Sequence, residues 1–320
     1  MNGQAAAVQR VVVVGAGAIG LSWTALLIGR GVDVVLADPA QEAEERAIRT
    51  LTTMLGEVPA DLSLVVDAAE AVADADFVIE AGPERLDLKR RLFADLDAAA
   101  PAHVMLTSSS SGLAASDIQR DCTRHPERVL VAHPFNPPHL VPLVEVVGGR
   151  LTSEESVLMT MEILRGLGKA PIRLRRELPG HVVNRLQAAL WREAYYLVEQ
   201  GVVSVTDIDQ AVANGPGLRW ALLGPLATQH LSGGDGGLQH VLEHLGPPML
   251  DWWQDLGTPE FTPALIDTLV RGVTEEMGGQ EPAVLARRDA ALRELLATKA
   301  ELDLTVMPGA REPQAKGDRR

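Results

Sequence analysis

His133 and Glu145 are the two residues in this chain best placed to share a proton. They stand twelve positions apart in VAHPFNPPHLVPLVEVV, residues 131–147. The first apolar run ends at the histidine, a proline-rich loop follows, and the second apolar run contains the glutamate. A carboxylate among apolar neighbours is costly unless a partner takes up its charge, and the histidine at the end of the preceding strand is the nearest candidate in sequence. Together they read as a base and its orienter. The carboxylate would fix the imidazole tautomer through one ring nitrogen and leave the other to take a proton from a substrate hydroxyl. The plainer alternative is a turn histidine with the glutamate on a solvated strand face, and the sequence upstream weighs against it.

Upstream, Val11–Val14 is a continuous apolar strand that runs into Gly15-Ala16-Gly17-Ala18-Ile19-Gly20 and then into an apolar helix, Leu21–Gly29. Strand, glycine turn and helix in that order make a cradle for a dinucleotide pyrophosphate. Gly15 permits the tight turn, Gly17 lets the backbone approach the phosphates, and Gly20 allows close helix packing, with Ala18 and Ile19 completing the loop at the helix N-terminus. A second apolar strand, Val34–Ala37, ends in Asp38, eighteen residues past Gly20. A carboxylate there would accept from ribose hydroxyls and repel a 2′-phosphate, so NAD is expected over NADP.

Elements that position these groups alternate along the first half of the chain. Helices are predicted over Glu42–Leu55, Leu86–Ala98 and Ser153–Leu167, with a short one near Ile118. Strands are predicted over Leu62–Val66, Ala75–Glu80, His103–Leu106, Val129–Ala132, Leu143–Val147 and Pro171–Leu174. The alternation implies an α/β fold, a doubly wound, mainly parallel Rossmann-type sheet with ligands at the carboxyl ends of its strands. Ser108–Ser111 leaves one such end, either as a helix cap or as a functional cluster. After Leu178-Pro179-Gly180 the pattern changes period. Val182, Leu186, Leu190 and Leu197, with Val183 and Ala194, mark one face of a long helix over His181–Gln200. Further helices are expected at Val205–Asn214, Trp220–Leu231, Leu238–His244, Pro263–Gly279 and Glu281–Leu302. The expected domains are 1–178, NAD-binding, and 179–307, all-α, with a disordered tail over 308–320.

The 320 residues carry a formal charge of −14, which disfavours a nucleic-acid partner because a negative surface repels phosphate backbones. A single cysteine, Cys122, allows no internal disulfide and no multi-cysteine metal site, and no metal motif occurs. No apolar segment approaches the roughly 20 residues needed to span a bilayer, so a cytoplasmic protein without membrane contact is expected.

Taken together, Gly15–Gly20, Glu80-Ala-Gly-Pro-Glu84, Ser108–Ser111, His133-Pro-Phe-Asn136-Pro, Leu143-Val-Glu145-Val and Pro179-Gly180-His-Val-Val-Asn184-Arg185 resemble the 3-hydroxyacyl-CoA dehydrogenase family in order and spacing over roughly residues 8–300. The resemblance implies that His133 is the base and Glu145 its orienter. It places the family's catalytic serine on Ser111 and its PGFxxNR asparagine on Asn184. Glu84 and Lys89 match positions near the cofactor, and Ser109 replaces an asparagine near the nicotinamide. By the same analogy the helical domain pairs into a homodimer.

This sequence departs from the family pattern at His181, where the motif has phenylalanine, and at Gly217-Leu-Arg219-Trp220-Ala, where acyl-CoA members carry a different element. The latter is similar to the branch holding gulonate 3-dehydrogenase, lambda-crystallin, carnitine dehydrogenase and polyketide-pathway β-keto acid reductases. That likeness implies a small free 3-hydroxy or 3-keto acid as substrate, with Arg219 clamping a carboxylate and Trp220 supplying an apolar wall. Segment Gln41–Asp67 contains Arg46 and Arg49 but no lysine for CoA phosphates. The alternatives are a true CoA-thioester dehydrogenase and a crystallin-like, non-catalytic NAD-binding protein.

Overall fold

A computed structural model of the chain describes residues 8–57 and 62–302. The tail over 308–320 and residues 1–7 lie outside these residues. The chain divides into two compact units, Met1–Arg185 and Leu186–Arg320.

In the first unit, eight strands form one sheet in the order β3-β2-β1-β4-β5-β6-β7-β8. They are β1 Arg10–Val14, β2 Asp33–Ala37, β3 Ser63–Val65, β4 Phe77–Glu80, β5 Met105–Ser108, β6 Val129–Pro134, β7 Leu143–Gly148 and β8 Ala170–Arg173. All neighbours pair in parallel except β6 and β7, which are antiparallel. The helices between them are α1 Ala18–Ile28, α2 Ala43–Leu55, α3 Ala68–Ala71, α4 Leu86–Ala99, α5 Ala115–Ile118 and α6 Glu154–Gly166.

Period-2 alternation explains why continuous apolar runs became strands. Val11 and Val13 pack into one core cluster while Val12 and Val14 pack into another. Phe77 and Ile79 likewise oppose Val78. Each face of the sheet is therefore covered, as parallel strands require. Full burial of such side chains contributes about 1.5–3 kcal/mol each.

The second unit is helical: α7 Val183–Glu199 opens at the end of the first unit, followed by α8 Val205–Asn214, α9 Pro216–Leu222, α10 Pro225–Ser232, α11 Gly237–Asp255, α12 Pro263–Met277 and α13 Glu281–Glu301. Two expectations need correction here. The single helix expected over Trp220–Leu231 is two, because backbone at Leu223 is extended (φ −131°, ψ 148°) and Pro225 starts a new helix whose first-turn amide needs no partner. The short helix expected over Leu238–His244 continues to Asp255 through Pro247 and Pro248.

Candidate active site

His133 and Glu145 are directly opposed in the antiparallel β6–β7 pair, so their side chains leave the same face of the sheet. The His133 Nδ1–H donates to Glu145 Oε2 at 3.0 Å. With the proton on Nδ1, Nε2 carries the ring's lone pair. The glutamate's other oxygen, Oε1, accepts from the amides of Val182 at 2.8 Å and Val183 at 3.1 Å. One carboxylate therefore orients the imidazole and also fixes the first turn of α7. Burial alone would raise the Glu145 pKa, but the hydrogen bonds from His133, Val182 and Val183 outweigh it and hold the group below the usual carboxylate range.

The strand ends beside this pair carry a second polar cluster. Glu80, fully buried at the end of β4, accepts from Lys89 Nζ at 2.6 and 2.8 Å, from Ser108 Oγ at 2.6 Å and from the Gly82 amide at 2.7 Å. Lys89 is only 2% exposed, so its ammonium is committed to Glu80. Such a closed pair is worth little against an apolar replacement, whereas removing one member strands a buried charge at a cost of about 3–5 kcal/mol. Glu84 accepts from Ser110 Oγ at 2.5 Å and from the amides of Ser111 and Gly112 at 3.1 and 3.0 Å. Burial pushes the Glu84 pKa up, but these bonds and the charge of Lys89 bring it net below its ordinary value.

Among the serines, Ser110 Oγ is consumed by Glu84 and by the Leu113 amide, and Ser111 is exposed. Ser109 Oγ is buried without a partner among the described residues. Asn184 sits half-buried in the first turn of α7. Arg219 and Trp220 stand exposed in α9 of the helical unit. Sequence reasoning named Glu80 and Ser110 only within motifs and gave neither a role; the signal for Glu80 was present, since a carboxylate ending the apolar run FVIE needs a buried counter-charge, and a lysine follows nine residues on.

The glycine loop fits a dinucleotide. Gly15 has φ +106°, and an added Cβ would lie 2.8 Å from Ala81 O, so only glycine is accommodated. A Cβ on Gly20 would meet Gly15 O at 1.8 Å, which makes the close approach one of helix against loop backbone. Gly17 faces open space, with nothing within 4 Å of a Cβ, leaving room for phosphates at the N-terminus of α1. Asp38 accepts from the Ala16 amide at 2.7 Å and from the Ala40 amide at 2.8 Å, so it anchors this loop, with its remaining lone pairs able to meet ribose hydroxyls.

Sequence comparison agrees with this geometry. Residues 10–178 match the 3-hydroxyacyl-CoA dehydrogenase NAD-binding domain and residues 180–274 match the C-terminal domain of the same family. The chain belongs to the 3-hydroxyacyl-CoA dehydrogenase family. It is 47% identical over 297 residues to an L-carnitine dehydrogenase of Nocardiopsis dassonvillei, covering 89% of this chain and 90% of that one. A 3-hydroxyacyl-CoA dehydrogenase of Gibberella moniliformis is 41% identical over 309 residues, covering 92% and 96%. Among solved structures, 5-formyl-3-hydroxy-2-methylpyridine 4-carboxylic acid 5-dehydrogenase, an NAD+ dependent dismutase, superposes with a TM-score of 0.76 at 27% identity, covering 92% of this chain and 99% of that one. The chain is thus an NAD-dependent oxidoreductase, and the non-catalytic alternative falls away. Among the described residues no helix is long and apolar enough to cross a membrane, and no group of three or more His, Cys, Asp or Glu could hold a metal ion.

Proposed function

We propose that this enzyme interconverts a small free 3-hydroxy acid of the carnitine type and its 3-keto acid, with His133 as general base and acid and Glu145 as its orienter. The observation that carries this is the 3.0 Å His133–Glu145 bond formed by strand register in the same unit as the dinucleotide cradle. His133 Nε2 takes the hydroxyl proton, and the Glu145 carboxylate stabilises the imidazolium that forms. Ser111 and Asn184 donate to the substrate's oxygens as charge develops. Bound NAD supplies the hydride acceptor. In the reverse direction His133 returns its proton to the new alkoxide. Glu84 orders the serine turn and Lys89 holds Glu80 behind it, so both act on the cofactor side through the loops they fix.

Two features favour a free acid over a CoA thioester. The relative named L-carnitine dehydrogenase is more similar than the one named 3-hydroxyacyl-CoA dehydrogenase. In addition, segment 41–67 offers little to CoA phosphates: it contains no lysine, Arg46 Nε donates to Ala16 O at 2.8 Å, and Arg49 is an exposed cation, loosely paired with Glu45 at 3.4 Å. Arg219 and Trp220 then supply a carboxylate clamp and an apolar wall. The helical unit pairs with a second copy through its apolar faces, and the enzyme works in the cytoplasm. Initial rates with NAD+ and L-carnitine, 3-hydroxybutyrate or 3-hydroxybutyryl-CoA test the substrate class. At least about a hundredfold higher kcat/KM is expected for a free acid, the discrimination typical of a site built around a charged group; preference for the thioester overturns it.

A further inference from the structure

His181 stands where the family motif has phenylalanine, and its surroundings are unlike those of a space-filling residue. Its backbone has φ +50°, the only positive value among the described non-glycine residues. The ring is 4% exposed and lies 5.1 Å from the His133 ring, centroid to centroid, tilted by 35°. Nε2 is 3.3 Å from the Ser110 carbonyl oxygen. A carbonyl only accepts, so the proton sits on Nε2 and Nδ1 carries a lone pair. That Nδ1 is buried and has no partner among the described residues. A strained backbone and an unpaired buried acceptor are each costly, and such costs gather where a ligand completes the structure.

What would complete it follows from the chemistry of the gap. A lone pair repels a carboxylate or a carbonyl and attracts a donor or a positive charge. The ionisable groups facing His181 are His133 on β6, Glu145 on β7 and Glu84 before α4. Two of these three are carboxylates, so the setting is net negative. Burial first, and then the neighbouring His133, lower the His181 pKa, which keeps the ring neutral and prevents it from repelling a cation.

We propose that His181 is a specificity-determining residue whose Nδ1 lone pair faces a quaternary ammonium group on the carbon next to the carbinol. The proposal rests on the free 3-hydroxy acid reading above and narrows its substrate class. In such an acid the nitrogen lies two bonds, about 2.5 Å, from the carbinol carbon. With the hydroxyl bonded to His133 Nε2, the polarised N-methyl groups come within reach of a ring centred 5.1 Å from that of His133. The substrate carboxylate is correspondingly turned away from His181.

The test compares L-carnitine with its neutral carbon isostere, 3-hydroxy-5,5-dimethylhexanoate, in the wild type, His181→Leu and His181→Asn, with NADH affinity measured by fluorescence titration. Leucine removes the lone pair. Asparagine keeps an acceptor and tolerates the left-handed backbone. The wild type is expected to prefer carnitine, and His181→Leu to lower kcat/KM for carnitine by about tenfold or more, chiefly through KM, with the isostere affected far less. His181→Asn should restore part of the ratio. An unchanged carnitine-to-isostere ratio in His181→Leu overturns the role of His181 while leaving the free-acid reading intact. If His181→Leu fails to bind NADH, His181→Asn decides: a ratio that falls to one in spite of its acceptor overturns the proposal, and a ratio kept above one supports it. A wild type that oxidises the isostere but not carnitine overturns the ammonium claim alone, and one that oxidises only CoA thioesters defeats the free-acid reading itself.

Discussion

Val12 in β1 and Trp252 in α11 are both large apolar side chains, yet the first is fully buried and the second is 61% exposed. The contrast holds across the two units. Of the buried apolar residues among those described, only Val198, Val241 and Leu265 lie beyond Arg185, whereas the exposed large apolar residues cluster there: Leu186, Trp191, Leu226, Trp253, Phe261 and Val270 among them. The α/β unit closes its own core on both faces of the sheet, and its polar clusters are assembled by strand register. The helical unit shows stripes of helical period that its own fold does not cover. Exposed apolar area on this scale is what supports the proposed pairing of the second unit with another copy, a support that the first unit does not need for its own core.

The sharpest test of the closed unit is His133→Asn. Because register alone brings His133 to Glu145, the substitution should remove chemistry and leave structure: kcat falls by about 10²–10⁴-fold, with circular dichroism and NADH affinity unchanged. Near-normal turnover would take His133 out of the mechanism. For the open unit, replacing Trp252 and Trp253 together by glutamate places charges on its exposed face. A dimer in sedimentation velocity should become monomeric, with the dissociation constant raised by about a thousandfold or more, since even one buried aromatic anchor worth about 2 kcal/mol counts twice across a twofold interface. NADH binding by the α/β unit should persist. A wild type that sediments as a monomer would break the comparison outright.

The same contrast explains what could be read from the sequence. Strands buried on both faces show as unbroken runs such as Val11–Val14, and the glycine loop shows by its spacing, so the order of β1, α1 and β2 was legible, as was the pairing of His133 with Glu145 across one loop. What escaped depended on tertiary geometry. Pro247-Pro248 reads locally as a stop, yet α11 runs through it. His181 was visible only as a departure from a motif; nothing in the sequence showed that its ring lies beside His133 with one nitrogen unclaimed. The apolar stripe Val182, Leu186, Leu190 was legible as a helix face, but the sequence does not say whether the same chain covers it, and here all three remain exposed.

The smallest effect concerns a charge that only a closed unit can hold. Lys169 is 6% exposed, its Nζ donates to the carbonyls of Pro138 and Val141 at 2.5 and 2.6 Å, and it lies 5.1 Å from the centre of the Trp23 ring. It thereby ties down the loop that links His133 to Glu145. Burial, and after it the charge of Arg30, pushes its pKa down to about 7. In the unfolded chain the same lysine keeps its proton to about pH 10.4. Between these values the unfolded state binds more protons than the folded one, so stability rises as pH increases from about 7 toward 10. The limiting slope is about 1.4 kcal/mol per pH unit. The two carbonyl acceptors favour the charged ammonium and reduce that slope, leaving a gain in Tm of about 2–4 °C for each kcal/mol that remains. Lys169→Met should abolish this increment, so the wild-type Tm should climb relative to the variant between pH 7 and pH 9. A constant difference over that range would show that the carbonyls of Pro138 and Val141 hold the proton on Lys169 despite its burial.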